Sequence, residues 1–162
     1  MEKVRTYYLE ILNSNELHFK DNKNKGFKVD ECVIKQYQYN RFLYKLVGEN
    51  WKWEDNNSWS DETWKKYAES DDLRTFVGYF SGTPAGYYEL QKKEEDVQIA
   101  YFGLAEKFIS KGLGGFFLSH AIDNAFKWGG KRVWVHTCTL DHPNSLNNYL
   151  ARGMNIYKEE VS

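Results

Sequence analysis

Residues 97–128, VQIAYFGLAEKFISKGLGGFFLSHAIDNAFKW, decide the fold. Val97 to Leu104 is apolar, β-branched and aromatic enough to predict a strand. Gly112-Leu113-Gly114-Gly115 then leads straight into FFLSHAIDNAFKW, where Ser119, His120, Asp123, Asn124 and Lys127 make one narrow polar stripe. Such a helix is buried over most of its girth, packed on a sheet and under a neighbour. Gly129-Gly130 ends it. A glycine-rich turn at a helix N-terminus presents free backbone N–H groups beside the positive end of the dipole, a site suited to phosphates. Glycines also serve plain strand-to-helix turns, so context has to choose. A P-loop needs Gly-Lys-Ser/Thr, whereas the order here is Ser110-Lys111-Gly112 with Phe116 and Phe117 following. A dinucleotide fold wants an acid at the end of the next strand, and RVWVHTCT offers none. What remains is a loop gripping a pyrophosphate near a strand end, in the middle of a mixed sheet.

Outward from this stretch the chain alternates strands and helices. Thr6 to Ile11 and Lys28 to Gln36 are predicted as extended, with residues 13–26 a solvated loop between them. Phe42, Leu43 and Leu46 recur at helical spacing before Gly48, and residues 49–59 follow neither period. Ser60 with Asp61 and Glu62 is an N-cap signature for a helix to about Ser70. Leu73 to Phe80 and Ala85 to Lys92 form a hairpin about Ser81-Gly82-Thr83-Pro84, and a charged turn leads to the strand at Val97. Arg132 to Thr139 is a strand and Pro143 marks a helix start. Leu146, Tyr149 and Leu150 share one helical face, Gly153 closes that helix, and Asn155 to Val161 ends the chain as a strand. A meander before one strand–helix–strand unit makes a single α/β domain over residues 1–162.

Composition sets outer limits. With 162 residues, 22 Lys+Arg against 23 Asp+Glu and a net charge of −1, the chain suits one compact unit and lacks the basic excess of a nucleic-acid binder. No apolar run approaches the roughly 20 residues of a membrane helix, and the first residues carry no signal-peptide core. Cys32 and Cys138 make neither a metal motif nor a disulfide framework, so a reduced, cytoplasmic setting is expected. Aromatic residues number 28, as many as Leu, Ile and Val together, enough for a core and a ligand site.

The segment from 97 to 115 resembles the acyl-CoA-binding motif of the GNAT N-acetyltransferase superfamily, a strand followed by Gln/Arg-x-x-Gly-x-Gly/Ala and a long helix. Ile109-Ser110-Lys111-Gly112-Leu113-Gly114 matches in frame, and Tyr149-x-x-x-Gly153-Met154 resembles the later Tyr-x-x-x-Gly-Phe motif. The order of elements fits from about Thr6 to Val161. The resemblance implies a mixed, mostly antiparallel central sheet flanked by helices, an α+β arrangement within the α/β class. It implies that N–H groups around Ile109, Lys111, Gly112, Leu113, Gly114 and Gly115 hold the pyrophosphate of acetyl-CoA. Phe102, Gly103 and Leu104 would offer backbone groups to the pantetheine arm and the thioester carbonyl. Tyr149 would be the general acid for the departing thiolate, a task that suits a neutral phenol. Read without the motif, Tyr149 is a core residue beside Leu146 and Leu150.

Three positions depart from the family pattern. Ile109 stands where Gln or Arg is usual, so a polar contact near the phosphates is missing. Gln98 stands where the histone-acetylating branch carries a general-base glutamate, and an amide cannot take the proton. His142 stands seven residues before the tyrosine in place of asparagine, with Asn144 two residues later. Glu89 is the first candidate for a base, with Tyr101 or a water chain as alternatives; its strand position also reads as an exposed carboxylate.

Trp51, Trp53, Trp59 and Trp64 gather within 14 residues. Trp64 reads as core. Trp51 and Trp53 lie where the family's acceptor pocket is bordered, and aromatic walls with acids suit a cationic or amphipathic amine; the alternative is a loop stapled down by its tryptophans. His136, Cys138 and His142 with Asp141 raise a cysteine hydrolase or metal site, but no metal-ligand spacing appears. The expected function is therefore transfer of acetyl from acetyl-CoA to an amine of a small molecule or peptide, with no metal, no nucleic-acid or membrane partner, and a homodimer permitted. The alternative is a non-catalytic acyl-CoA-binding regulatory module, favoured by Gln98 and Ile109.

Overall fold

The computed structural model describes residues 3–162. Seven strands form one sheet in the order β2-β3-β4-β5-β6-β1-β7, and every neighbouring pair is antiparallel except β5–β6. The strands are β1 (Arg5–Ile11), β2 (Phe27–Glu31), β3 (Leu73–Phe80), β4 (Thr83–Lys93), β5 (Asp96–Leu104), β6 (Arg132–Cys138) and β7 (Asn155–Val161). The helices are α1 (Tyr37–Gly48), α2 (Asp61–Ala68), α3 (Gly114–Lys127) and α4 (Ser145–Ala151). The mostly antiparallel α/β fold is the one expected. The second strand is shorter than expected: Val33 and Ile34 are exposed past its end, and α1 starts at Tyr37, five residues before the apolar period becomes visible at Phe42.

Both faces of the sheet are covered. On one, α3 packs Phe117, Leu118, Ala121, Ile122 and Ala125 against Leu9, Tyr88, Leu90, Val97 and Val133. On the other, Leu43 and Val47 of α1 meet Val77 and Tyr87. Ser60 caps α2 as expected, its side chain accepting from the Thr63 N–H. A strand buried on both sides shows no polar alternation, and β4 is buried from Ala85 to Leu90, Glu89 included. The polar stripe on α3 is only partly solvated. Ser119 is buried and donates to the Gly115 carbonyl at 2.8 Å, and His120 meets the Tyr88 hydroxyl at 2.7 Å.

The meeting of β5 and β6 positions the site. Their parallel ladder covers Asp96↔Arg132 to Gln98↔Trp134, and both strands continue beyond it. A bulge follows at once: Glu89 pairs Tyr101 while Leu90 pairs Ile99, which leaves Ala100 unopposed. The extra residue reverses the facing of everything after it. Val97 and Ile99 pack on the α3 side, Tyr101 packs on the α1 side, and Phe102 and Leu104 return to the α3 side.

Residues 13–26 are irregular, as expected, but not merely solvated. The His18 N–H donates to the Arg152 carbonyl at 2.9 Å and the Lys20 N–H to Ser119 Oγ at 2.9 Å, which ties this loop across α3 and the end of α4. Gly153 makes the crossing close: at φ 105°, a Cβ there would collide with the Glu16 carbonyl oxygen. Gly153→Ala is therefore expected to destabilise the fold by roughly 2–4 kcal/mol in denaturant unfolding. Gly82→Ala is the control. With φ 90° and open space around it, it should lose only about 1 kcal/mol.

Candidate active site

Where β5 and β6 part, a cavity of about 830 Å³ opens. Gln98 to Leu104 form one wall, Val135, His136 and Cys138 another, and the glycine loop with α4 closes one end. Phe102, Gly103, Leu104, Ile109, Gly112, Leu113, Gly114 and Gly115 all lie on its surface, as do Tyr149, Trp51 and Trp53. Two residues singled out from the sequence do not: Lys111 points into solvent at the loop tip, and Glu89 is sealed behind the wall.

At the glycine-loop end, Ser110 and Gly112 turn the chain with positive φ, and α3 begins at Gly114 with no side chain capping it. Its first N–H groups are therefore free for a ligand. A Cβ on Gly112 would meet nothing within 4 Å, whereas one on Gly115 would lie 2.5 Å from both Arg152 Nη1 and Lys20 Cδ. Two cationic side chains thus lean over the helix N-terminus. The Nε of Arg152 is buried with no partner among the described residues. Burial lowers the affinity of Arg152 for its proton, yet a guanidinium stays charged at neutral pH. A charged donor left unpaired in a partly buried place is costly, so this end fits a diphosphate-bearing group such as that of acetyl-CoA. Asn148 Nδ2 donates to the Gly114 carbonyl at 3.1 Å and holds the loop to α4.

Sequence reading missed both cations. Arg152 follows Tyr149 by three residues, and that helical spacing is a signal for a shared face. Lys20 lies in an irregular loop and leaves no local signal.

In the middle stands Tyr149, buried on α4, its ring 6.3 Å from that of Phe102. Burial, then the charge of Asp141, raises its pKa above the ordinary 10, so the phenol keeps its proton. Of its helical face, Leu146 packs on the core, while Leu150 is exposed. Asp141 itself is pinned, accepting from Thr137 Oγ1 at 2.6 Å, the Cys138 N–H at 3.0 Å and Trp53 Nε1 at 3.4 Å.

The far end is aromatic. Trp53 packs against Tyr101 at 5.3 Å and Tyr44 at 5.8 Å, and Trp51 meets His142 edge-on at 5.2 Å. The tryptophans therefore staple their segment down and also line the cavity, with Asp55 beside them. Asn56 Nδ2 donates to the Tyr101 hydroxyl at 3.0 Å, and burial pushes that phenol up to about 12. Tyr67 reaches the same end from α2.

Glu89 corrects an expectation. It is not an exposed carboxylate but fully buried at 1% exposure, accepting from Tyr67 Oη at 2.6 Å and Asn40 Nδ2 at 2.8 Å. Burial raises its pKa from 4.5 to about 7, against the pull of those two hydrogen bonds. The hydrolase alternative loses support. Burial raises the Cys138 thiol above its ordinary value, and no hydrogen bond joins it to His136. No group of three metal-ligating residues gathers among the described residues, and no helix there is long and apolar enough to cross a membrane.

Residues 40–154 match the profile of the acetyltransferase (GNAT) family. No curated protein sequence gives a significant match. Among solved structures, a GCN5-related N-acetyltransferase from Kribbella flavida superimposes with a TM-score of 0.71 at 15% identity, over 97% of this chain and 56% of that one. One from Sphaerobacter thermophilus gives 0.74 at 12% identity, over 98% and 50%. An aminoglycoside acetyltransferase from an uncultured soil metagenomic sample, in complex with trehalose, gives 0.67 at 13% identity, over 81% and 90%. The chain thus spans about half the length of the first two proteins. At such identities the likeness is one of fold.

The burial of Glu89 has a measurable consequence for stability. Its carboxyl titrates near 4.5 in an unfolded chain and near 7 when folded, so the folded state holds the extra proton between those values. The contribution is full below about pH 4.5, falls as pH rises, and is lost above 7, a swing of roughly 3 kcal/mol. Glu89→Gln removes this dependence. Denaturant midpoints of the two proteins should therefore converge or cross in favour of the variant at pH 8 relative to pH 5. Parallel pH profiles would contradict it.

Proposed function

The chain belongs to the acetyltransferase (GNAT) family, and from that premise we propose that it is an enzyme moving an acetyl group from acetyl-CoA directly to a primary amine of a small molecule or peptide. The observation that carries the donor assignment is the buried, unpartnered Nε of Arg152 beside an uncapped helix N-terminus. A diphosphate would satisfy both at once. Arg152 and Lys20 would then supply the charge that Ile109 does not. The backbone of Phe102 to Leu104, beyond the end of the β5–β6 ladder, would offer hydrogen bonds along the acyl-bearing arm.

The chemistry follows from what each side chain can do. The amine nitrogen forms a bond to the thioester carbon as the carbon–sulfur bond breaks, and no group on the protein is acylated. Tyr149, neutral and facing the cavity, would give its proton to sulfur. Trp51, Trp53 and Asp55 would hold the acceptor. Aromatic faces and a carboxylate favour a cation, so a small cationic amine is the preferred acceptor. The free thiols Cys32 and Cys138 suit a reducing, cytoplasmic setting.

Thiol release from acetyl-CoA across a panel of amines tests the proposal, with polyamines, aminoglycosides, amino acids and lysine peptides included. Turnover with at least one amine is expected. Tyr149→Phe should then lower kcat by about 100-fold or more with little change in KM. Arg152→Ala should raise the KM for acetyl-CoA about 10–100-fold and spare the KM for the amine. Cys138→Ala should leave kcat within about twofold. Tight binding of acetyl-CoA without thiol release would instead favour a regulatory binding module.

A further inference from the structure

Glu89 is a buried acid whose position explains little unless it exchanges protons with the cavity. It sits on β4, a strand covered on both faces, and its side chain points toward α1 and α2. Oε2 accepts from Asn40, which also donates to Thr75 Oγ1 at 2.8 Å, and Oε1 accepts from Tyr67. The titratable groups around it are Tyr67 of α2, Tyr87 of its own strand, Tyr101 of β5 and Cys32 beyond β2. Among the described residues, no lysine, arginine or histidine forms an ion pair with it. A carboxylate without a cation in such a place is expensive, and a glutamine that accepted from Asn40 and donated to Tyr67 Oη would fill the place without the charge. A titratable group is therefore what distinguishes this side chain from the cheaper alternative.

Its one hydrogen-bonded partner on this cavity is Tyr67. Glu89 does not touch the cavity, whereas Tyr67 does, and the two are joined by a 2.6 Å hydrogen bond. The Tyr67 ring is held by Trp59, 5.3 Å away between centroids, so its hydroxyl has little freedom to leave.

We propose that Tyr67 takes a proton from the acceptor amine and passes its own hydroxyl proton to Glu89, so that a carboxylate walled off from the substrate serves as the base. The inference rests on the acetyltransferase reading of the site. The acceptor enters as R–NH3⁺. One N–H proton moves to Tyr67 Oη while the Tyr67 O–H proton moves to Glu89 Oε1, leaving a neutral amine, a phenol and a carboxylic acid. No tyrosinate forms, in keeping with the burial and the neighbouring carboxylate that lift the Tyr67 pKa well above 10. After transfer, Glu89 returns its proton through Tyr67 to water in the open cavity. The nitrogen gives up two protons in all: this one reaches solvent, and the second replaces the one Tyr149 puts on sulfur. Tyr67 is the group that touches the substrate; Glu89 acts through it. The ordinary pKa of Glu89 would make it a poor base, and its rise to about 7 brings it into range at neutral pH.

Initial rates with a turned-over aliphatic amine, measured from pH 6 to 10, test the relay in Tyr67→Phe, Glu89→Gln and the double variant. Each single variant should lose about 100-fold in kcat at pH 7, lose the inflection near pH 7, and regain rate as the amine deprotonates unaided at high pH. The KM for acetyl-CoA should stay unchanged. The double variant should be no slower than the slower single one, because both residues serve one path. A wild-type pH profile in either single variant, or losses that multiply in the double, overturns the relay while leaving the transferase reading intact. Absence of thiol release by the parent with every amine overturns both. Tyr67→Phe removes one hydroxyl from a residue of the cavity wall and leaves its ring in place, so it reports even where the substitution at the buried Glu89 impairs folding.

Discussion

Three residue pairs hold β5 to β6, and the rest of the molecule depends on the ladder ending there. A sheet normally continues wherever two strands lie side by side, because each unmade backbone hydrogen bond must otherwise find water or a ligand. Here the bulge at Ala100 bends β5 away immediately after Gln98, and β6 runs on to Cys138 on its own course. The result is a wedge with hydrogen-bonding backbone on its walls in the middle of a sheet that is otherwise fully paired. The fold supplies the rigidity that keeps it open. β3, β4 and β5 form a continuous antiparallel platform on one side, and β6, β1 and β7 form another. The same bulge turns Tyr101 to the α1 face, so one extra residue both opens the cleft and furnishes its aromatic end.

The wedge is electrically polarised along its length. Lys20, Arg152 and the start of α3 make one end attractive to anions. Asp55, Asp141 and the tyrosine cluster line the other end, two carboxylates against the one ammonium of Lys52. A donor carrying phosphates and an acceptor carrying an ammonium would therefore meet head to head, with their reacting ends at Tyr149. The near-zero net charge of the chain does not reveal this, because it sums 22 cations and 23 anions over the whole chain without regard to place.

Most of the fold was legible because its signals are local. The α3 helix announced itself by an almost unbroken apolar surface between glycines, and the hairpin β3–β4 by its Gly-Thr-Pro turn. The glycine turn before α3 was legible for the same reason: its positive-φ residues and uncapped helix start are properties of backbone in sequence order. The remainder of the site was assembled over long separations. Lys20 reaches Gly115 across 95 positions, and Tyr67 reaches Glu89 across 22. The burial of Glu89 was hidden by a general rule that failed locally. Charged residues usually face solvent, but β4 is central and covered on both faces, so it has no solvent side to offer.

The missing polar residue at Ile109 and the presence of Arg152 belong to one argument. A loop that holds phosphates needs positive potential at its mouth, and it does not matter physically from which element the charge is delivered. In this chain the loop's own first position packs as a hydrophobe at the cavity rim, and the cation comes instead from the last turn of α4. That choice couples two parts of the site. Tyr149 lies on the seven-residue α4 and Arg152 caps its C-terminus three positions on, and Asn148 fastens that helix to the Gly114 carbonyl. An anion that draws Arg152 toward the N-terminus of α3 therefore also fixes the helix bearing Tyr149. The cationic end of the wedge and the buried Tyr149 at its centre become parts of a single rigid contact, which a glutamine or arginine at position 109 would have left separate.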